Sequence, residues 1–167
     1  DSIMALFDRS PEDAVNTSVK MLYALREYNK ERSHEGLDPV SIGIGVNTGK
    51  MMLGTLGESD RMEGSVISDA VNLAARLEGL TKLYKTPLLV SEDTFLKIGD
   101  SVFDTRLIDK VAVKGKENPV MIYEVLNGES SDLIDAKISS LPNFRKGFEL
   151  YQNQQFENAL DLFKKCL

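Results

Sequence analysis

A strand with one bare face constrains this 167-residue chain more than any other feature. In the stretch VSIGIGVNTGK, apolar residues alternate with Gly43 and Gly45, which is the period of a β-strand. The glycines leave one face without side chains, so either another stretch of backbone or a ligand can approach it closely. The segment NTGK at 47–50 has turn chemistry, and we predict a tight turn into a second strand, MMLGTLG, as in a β-hairpin.

The stretch SDAVNLAARLEG, Ser68 to Gly79, predicts an amphipathic helix from about Asp69 to Lys82. Asn72 and Arg76 fall one turn apart on it, since residues four apart share a helical face. An apolar stripe runs beside them, formed by Ala70, Leu73, Ala74, Leu77 and Leu80. Taken alone, such a polar pair is more often a solvated face than a working one, and the helix by itself leaves both interpretations open.

The remaining segments before residue 126 predict alternating helices and strands. A long helix is expected to begin at Pro11 after the cap Ser10, and LLV is expected to be a strand that leads into a helix capped by Ser91. SIMALF at 2–7 is β-compatible, GESDRMEGS is predicted as a polar loop, and strands near 103–113 and 120–125 flank the charged segment KGKENP. This alternation predicts an α+β or α/β sandwich and argues against a regular βαβ array.

The pattern changes after Leu126. NGESSD has the composition of a linker, and NFRKGFELYQNQQFENALDLFKKCL predicts two antiparallel helices. Five residues have spacings that resemble one tetratricopeptide repeat: Gly147, Leu150, Phe156, Ala159 and Phe163. A plain helical hairpin fits as well. Because one repeat cannot bury its own apolar face, we expect these helices to contact the main domain, more repeats or a protein partner.

Composition excludes several classes of protein. Asp and Glu outnumber Lys and Arg by 26 to 20, and no basic patch stands out, which argues against a nucleic-acid partner. The single cysteine, Cys166, excludes an internal disulfide framework and a cysteine-rich zinc site. No apolar run approaches membrane length and no signal-peptide pattern is present, so we expect a cytoplasmic domain. Whether the parent protein carries a membrane anchor stays open.

The order of these motifs carries a resemblance. DSIMALF, IGIGVNTGKMMLGTLG, RMEGSVISDAVNLAARLEGLTKLYKTPLLVSEDTF and VAVKGKENPVMIYEV together resemble the second half of a class III nucleotidyl cyclase catalytic domain. The resemblance covers residues 1–126, and the linker and helical hairpin at 127–167 lie outside it. It implies an α+β fold, a class III cyclase-like (ferredoxin-like) α/β sandwich lacking its N-terminal elements, with the C-terminal helical hairpin added.

The resemblance also implies roles for five residues. Asp1 stands where the family has one of its two metal-binding aspartates. Asn72 matches the asparagine that orients the ribose, and Arg76 matches the arginine that meets the phosphate as charge builds in the transition state. Lys114, the first lysine of VKGK, matches the lysine that holds the terminal phosphates. Ser65 falls where the purine edge is recognised and resembles members that use ATP in preference to GTP.

The implied reaction converts ATP to cyclic AMP and pyrophosphate in intracellular signalling. The 3′-hydroxyl attacks the α-phosphorus in line, helped by two Mg²⁺ or Mn²⁺ ions that lower the hydroxyl pKa and neutralise the leaving group. An amide and a guanidinium on one rigid helix suit the tasks of holding the ribose and stabilising charge. The family's sites lie between protomers, with metal carboxylates from one and the Asn/Arg helix from the other, so a homodimer is implied.

Departures from the family pattern keep two alternatives open. The family domain has, further upstream, the other metal aspartate and a purine-contacting lysine, and this chain has neither. We therefore expect the chain alone to be inactive and to be a fragment of a longer cyclase. Whether Asp1 is the native start of the protein or the result of a truncation stays open. Ser68, Gly64 and Asp60 also differ from the usual residues. The alternatives are a degenerate cyclase-like module that binds nucleotide or only dimerises, and a helical-repeat interaction protein.

Overall fold

The computed structural model describes residues 2–56, 63–67, 69–99, 102–112 and 119–166, with backbone alone for 52–56 and 63–67. The chain forms two compact units, residues 1–128 and 129–167. The predicted division at residue 126 into a catalytic domain and a hairpin stays a prediction about function. In the first unit the order is α1 Pro11–His34, β1 Ile44–Val46, β2 Met52–Leu56, β3 Glu63–Ile67, α2 Asp69–Tyr84, β4 Leu88–Ser91, α3 Glu92–Ile98, β5 Thr105–Val111, β6 Val120–Val125 and a 3-10 turn Leu126–Gly128.

The first unit contains two sheets among its described residues. The larger sheet has the strand order β1-β4-β6-β5, with β1 and β4 parallel and the other neighbours antiparallel. The smaller sheet is the antiparallel pair β2 and β3. This mixture of parallel and antiparallel strands with helices confirms the predicted α+β class.

Strand β4 is buried on both faces because helices cover both sides of the larger sheet. On one face, Leu88 and Val90 pack in a cluster with residues of α1, α3, β6 and the segment before β5: Val15, Val19, Leu22, Ile98, Phe103 and Val125. On the other face, Leu89 packs in a second cluster with α2 and β6: Leu73, Leu77, Val120 and Ile122. Successive strand residues point to opposite faces, so one short strand joins the two halves of the core.

The predicted helix starts of α1 and α3 are confirmed. Ser10 caps α1 by accepting a hydrogen bond from the Glu12 backbone N–H, and its hydroxyl donates to the Glu12 carboxylate, which lowers the pKa of Glu12. Ser91 caps α3 by accepting from the Thr94 backbone N–H at 3.3 Å. Both caps satisfy backbone donors that the first turn of a helix leaves unpaired.

A buried ion pair links the two antiparallel strands β5 and β6. The Glu124 side chain is fully buried, and one of its carboxylate oxygens accepts hydrogen bonds from Arg106 Nη2 at 2.6 Å and Nε at 3.0 Å. The other oxygen accepts from Thr86 Oγ1 at 2.6 Å. With both oxygens bonded, the desolvated carboxylate is matched by charge and by hydrogen bonds, as burial of a charge requires.

Three local predictions are wrong. The segments around 44–46 and 52–56 do not form a hairpin, because β1 pairs with β4 and β2 pairs with β3. The segment predicted as a polar loop ends in a strand, since Ser65 lies in β3 opposite Gly54. Residues 2–7 form no strand, because they pair with no described strand and are exposed, with Ile3 at 89%.

The second unit consists of α4 Ser131–Gln152 and α5 Phe156–Lys164. Phe144 contacts Phe163 with ring centroids 5.5 Å apart, while Tyr151 contacts Phe156 near the turn. Contacts therefore run in opposite directions along the two helices, which confirms an antiparallel hairpin. Helix α4 begins well before the predicted segment, within the predicted linker, and it continues through Pro142. The likeness to a tetratricopeptide repeat stays a prediction.

Candidate functional site

Helix α2 lies directly on the bare face of β1. A β-carbon built on Gly45 would stand 2.2 Å from the Ala74 carbonyl oxygen and 2.4 Å from the Glu78 backbone nitrogen. One built on Gly43 would stand 2.0 Å from Thr81 Oγ1. The 2.2 and 2.4 Å distances are to backbone atoms and lie far below van der Waals contact, so only glycine permits this approach at position 45. Of the two occupants that the sequence allowed, backbone or ligand, the structure has the backbone of α2.

The close packing fixes which face of α2 is turned away from the sheet. Leu73, Leu77 and Thr81 are buried, whereas Asn72 and Arg76 are exposed. With 3.6 residues per turn, the amide and the guanidinium lie on neighbouring turns of one exposed stripe. Within the described part of the chain, neither side chain makes a hydrogen bond or ion pair. The structure thus brings these two predicted residues together on a firmly seated helix and leaves both side chains accessible to a ligand.

A polar network secures the first turn of α2. Asn47, directly after β1, donates from Nδ2 to the Ala70 carbonyl oxygen at 2.9 Å and accepts at Oδ1 from Ser91 Oγ at 2.6 Å. Thr94 Oγ1 lies 3.2 Å from Ser91 Oγ and 3.0 Å from Thr48 Oγ1. Sequence analysis assigned Asn47 to a turn and missed these contacts. The available signal was an asparagine immediately after the strand β1, where its side chain can bond to neighbouring elements.

Three predicted site residues lie outside what the structure describes. Asp1 and Lys114 are outside the described residues altogether, and for Ser65 only the backbone in β3 is described. The proposed roles of these three residues stay predictions.

Neither a ready-made metal cluster nor a membrane helix is found in the described ranges. No group of three or more His, Cys, Asp or Glu residues there is arranged to hold a metal ion. Across the helices that the structure describes, none combines the length and the apolar character needed to cross a bilayer.

The fold and the exposed pair define a domain with helices on both faces of a mixed sheet, which presents an amide and a guanidinium from one helix. The model of the family "Adenylate and Guanylate cyclase catalytic domain" matches residues 2–127. This chain belongs to that family, and the resemblance to class III cyclases is confirmed.

Two curated relatives match most of this chain but only a small part of their own length. The terminal-differentiation-specific adenylate cyclase of Dictyostelium discoideum is 39% identical over 173 residues, which cover 99% of this chain and 8% of that protein. The adenylate cyclase of Anabaena cylindrica is 44% identical over 132 residues, covering 75% of this chain and 26% of that protein. The chain therefore spans a small part of the length of these relatives.

Solved cyclase structures share the fold. The adenylyl cyclase CyaB from P. aeruginosa aligns with a TM-score of 0.59 and 31% identity, covering 70% of this chain and 58% of that one. The guanylyl cyclase Cya2 aligns with a TM-score of 0.54 and 35% identity, covering 67% of this chain and 55% of that one. An adenylyl cyclase and a guanylyl cyclase of known structure are thus both similar to this chain.

Proposed function

We propose that this chain is part of an adenylate cyclase that converts ATP to cyclic AMP and pyrophosphate. The observation that carries the proposal is the exposed pair Asn72 and Arg76, one turn apart on a helix whose backbone is seated against β1. The similarity to adenylate cyclases of Dictyostelium discoideum and Anabaena cylindrica supports ATP as the nucleotide.

In this proposal the two side chains divide the work. Asn72 holds the ribose by hydrogen bonds, which keeps the 3′-hydroxyl in line with the α-phosphorus. Arg76 donates to phosphate oxygens as negative charge accumulates during the attack, and a guanidinium suits this task because it presents several N–H donors in a fixed plane. Lys114 binds the terminal phosphates and Ser65 contacts the purine. Because Asn72 and Arg76 stand on the same helix, their relative positions are set before the nucleotide binds, which lowers the cost of arranging them.

The metal requirement enters as part of the proposal. Its one predicted ligand on this chain, Asp1, lies outside the described residues, and the described residues form no metal cluster of their own. When bound, two Mg²⁺ or Mn²⁺ ions would lower the pKa of the 3′-hydroxyl and neutralise the pyrophosphate. The contributions of Asn72 and Arg76 described above do not depend on where the ions sit.

We also propose that two copies of the chain act together. In the class III arrangement, the metal carboxylate of one protomer faces the Asn/Arg helix of the other, so a homodimer would hold two composite sites. The accessible stripe of α2 is compatible with such an arrangement, because its polar residues are not covered by the chain's own described residues.

The test is cyclic nucleotide production by the protein extended upstream to include the other metal aspartate and the purine-contacting lysine of the family. Mn²⁺ with ATP or GTP is supplied, and Arg76→Ala is compared with Lys82→Ala, which removes an exposed cation from the same helix. We expect cyclic AMP from the parent and from Lys82→Ala. Arg76→Ala should lower kcat by about 10²–10³-fold, the usual effect of removing one preorganised donor from a developing charge.

The other outcomes are equally informative. Cyclic GMP in place of cyclic AMP would overturn the choice of ATP and the interpretation of Ser65 while keeping the cyclase. Equal activity of Arg76→Ala and Lys82→Ala would show that Arg76 does not take part in the reaction. If the protein is folded and dimeric but makes no product from either nucleotide, the degenerate module becomes the better description.

A further inference from the structure

We propose that Asn47 is a positioning residue of the cyclase site, which holds the first turn of α2 so that Asn72 and Arg76 keep their working geometry. This inference rests on the proposed function for its catalytic consequence. We call the side chain of Asn47, with its hydrogen bonds to Ala70 and Ser91, the tether. The tether is a property of the fold, and its effect on the stability of α2 can be measured without nucleotide.

Both ends of the Asn47 side chain are occupied by partners that fix its orientation. The Ala70 carbonyl oxygen can only accept a hydrogen bond, so the amide nitrogen, 2.9 Å away, must be the end that faces it. The amide oxygen then faces Ser91 Oγ, which donates to it at 2.6 Å. A flipped amide would set two acceptors against each other at Ala70, so only one arrangement satisfies both contacts.

The far end of the tether is anchored in the core. Ser91 and Thr94 are both fully buried. Ser91 ends β4 and caps α3, while Thr94 Oγ1 also lies 3.5 Å from the Val46 carbonyl oxygen at the end of β1. Because these groups belong to two strands and a helix that are packed together, Asn47 connects the first turn of α2 to a rigid base.

The position of Ala70 makes the tether relevant to the site. It lies in the first turn of α2, two residues before Asn72 and six before Arg76. The contacts of Gly43 and Gly45 hold the helix further along, at Ala74, Glu78 and Thr81. Gly49 packs against the first turn itself, since a β-carbon built on it would stand 2.8 Å from Ala70 Cβ. Asn47 adds to this packing a directional hydrogen bond to the backbone of the first turn. Displacement of a catalytic group by about 1 Å can cost roughly 10²-fold in rate. Loosening this end of α2 should therefore displace both Asn72 and Arg76 and lower the rate.

The experiment compares Asn47→Ala and Asn47→Asp with Tyr84→Phe in the upstream-extended protein. The alanine removes both contacts without adding charge, and the aspartate keeps an acceptor for Ser91 but loses the donor to Ala70. The control removes the hydrogen bond from Tyr84 Oη to Asp109 Oδ2, 2.5 Å long, at the opposite end of the same helix. Each variant is measured for kcat and KM with ATP, and for amide hydrogen exchange in peptides from α2.

We expect both Asn47 variants to lower kcat by about 10–10²-fold with a much smaller change in KM. Exchange over residues 69–76 should become faster in these variants and stay unchanged in Tyr84→Phe, which should also keep its kcat. In an Arg76→Ala background the kcat loss from Asn47→Ala should shrink, because residues that act through one another are not additive. A loss of the same size in that background, or an equal loss in Tyr84→Phe, would overturn the inference.

Failure of the proposed function is distinguishable from failure of the tether. If the parent makes no product from either nucleotide, the proposed function fails, and faster exchange over 69–76 in Asn47→Ala would still support the tether. Unchanged exchange there would overturn the tether whether or not the parent is active.

Discussion

The backbones of Gly45 and Ala74 approach so closely that a β-carbon on Gly45 would stand 2.2 Å from the Ala74 carbonyl oxygen. The obstacle is backbone in the middle of a helix, which cannot swing aside as a flexible side chain can. The seating of α2 on β1 therefore depends on the absence of a single methyl group.

The first prediction follows from this contact. Gly45→Ala should force α2 away from the sheet and lower the free energy of unfolding by about 1–3 kcal/mol, the usual cost of overpacking. Gly79→Ala is the matched control, because Gly79 lies in the same helix with nothing within 4 Å of its would-be β-carbon. That change should stabilise the protein by about 0.5–1 kcal/mol, since alanine is the better helix former. Urea denaturation followed by circular dichroism measures both, and equal stabilities of the two variants would contradict the packing described for β1 and α2.

The second prediction concerns the buried pair Arg106 and Glu124. Arg106→Leu would leave a fully buried carboxylate without its cation and should destabilise the protein by about 3–5 kcal/mol. Lys30→Leu is the control, because it breaks an exposed pair with Glu27 of 2.8 Å whose side chains are 62% and 67% accessible. Exposed pairs contribute about 0–1 kcal/mol, so this variant should unfold near the parent's urea midpoint. A loss below about 1 kcal/mol in Arg106→Leu would mean that the pair contributes no more than a surface contact.

The third prediction tests the composite dimer site. In the upstream-extended protein, Asp1→Ala and Arg76→Ala should each be nearly inactive alone. Mixed in equal amounts and allowed to exchange subunits, they should recover about a quarter of the parent activity, because half of the dimers in a two-fold symmetric pair are mixed and each mixed dimer has one intact site of two. Co-expression with two affinity tags isolates the mixed dimer directly. No recovery in a purified mixed dimer would place Asp1 and Arg76 in the same protomer's site, contrary to the proposal.

The fourth prediction concerns the α4–α5 hairpin. Phe163 packs on Phe144 and on Gly147, where an added β-carbon would be 2.9 Å from the Phe163 ring. Phe163→Ala should destabilise residues 129–167 by about 2 kcal/mol, below the range for a fully buried phenylalanine because this ring is only half-buried. Leu160→Ala, at a position that is 52% exposed on the same helix, should change stability by less than about 0.5 kcal/mol. Hydrogen exchange over 131–166 measures both, and equal protection in the two variants would refute the packing role of Phe163.

The sequence was sufficient to predict the helices, caps and strands that are determined by nearby residues. Helix α2 was predicted at 69–82 and extends over Asp69–Tyr84, and the predicted cap of α3 at Ser91 is confirmed. The strand predicted at 120–125 matches β6. In each case the period of the apolar residues and the chemistry of the flanking residues agree with the tertiary packing, so local and global preferences coincide.

The pairing of the strands and the hydrogen-bond partners of Asn47 could not be predicted from local sequence patterns. The segment at 47–50 has the composition of a hairpin turn, yet it carries the chain from one sheet to another. Asn47 uses its side chain on Ala70 and Ser91. These partners lie 23 and 44 residues away in the sequence, and no local pattern encodes them. The exposed pair on α2 could be predicted from spacing alone, whereas the support beneath its first turn required the fold.

The order of strands in the larger sheet also bears on how the chain is made. Ile44 of β1 pairs with Leu88 of β4, and Leu89 pairs in turn with Glu124 of β6. Strand β6 thus lies inside this four-stranded sheet although it is the last of its strands to be synthesised. On a ribosome, β1 and β4 can meet early, but β5 has no place in the sheet until residues 120–125 have emerged. The domain should therefore acquire its core late and in one step, through contacts of high sequence separation that close slowly.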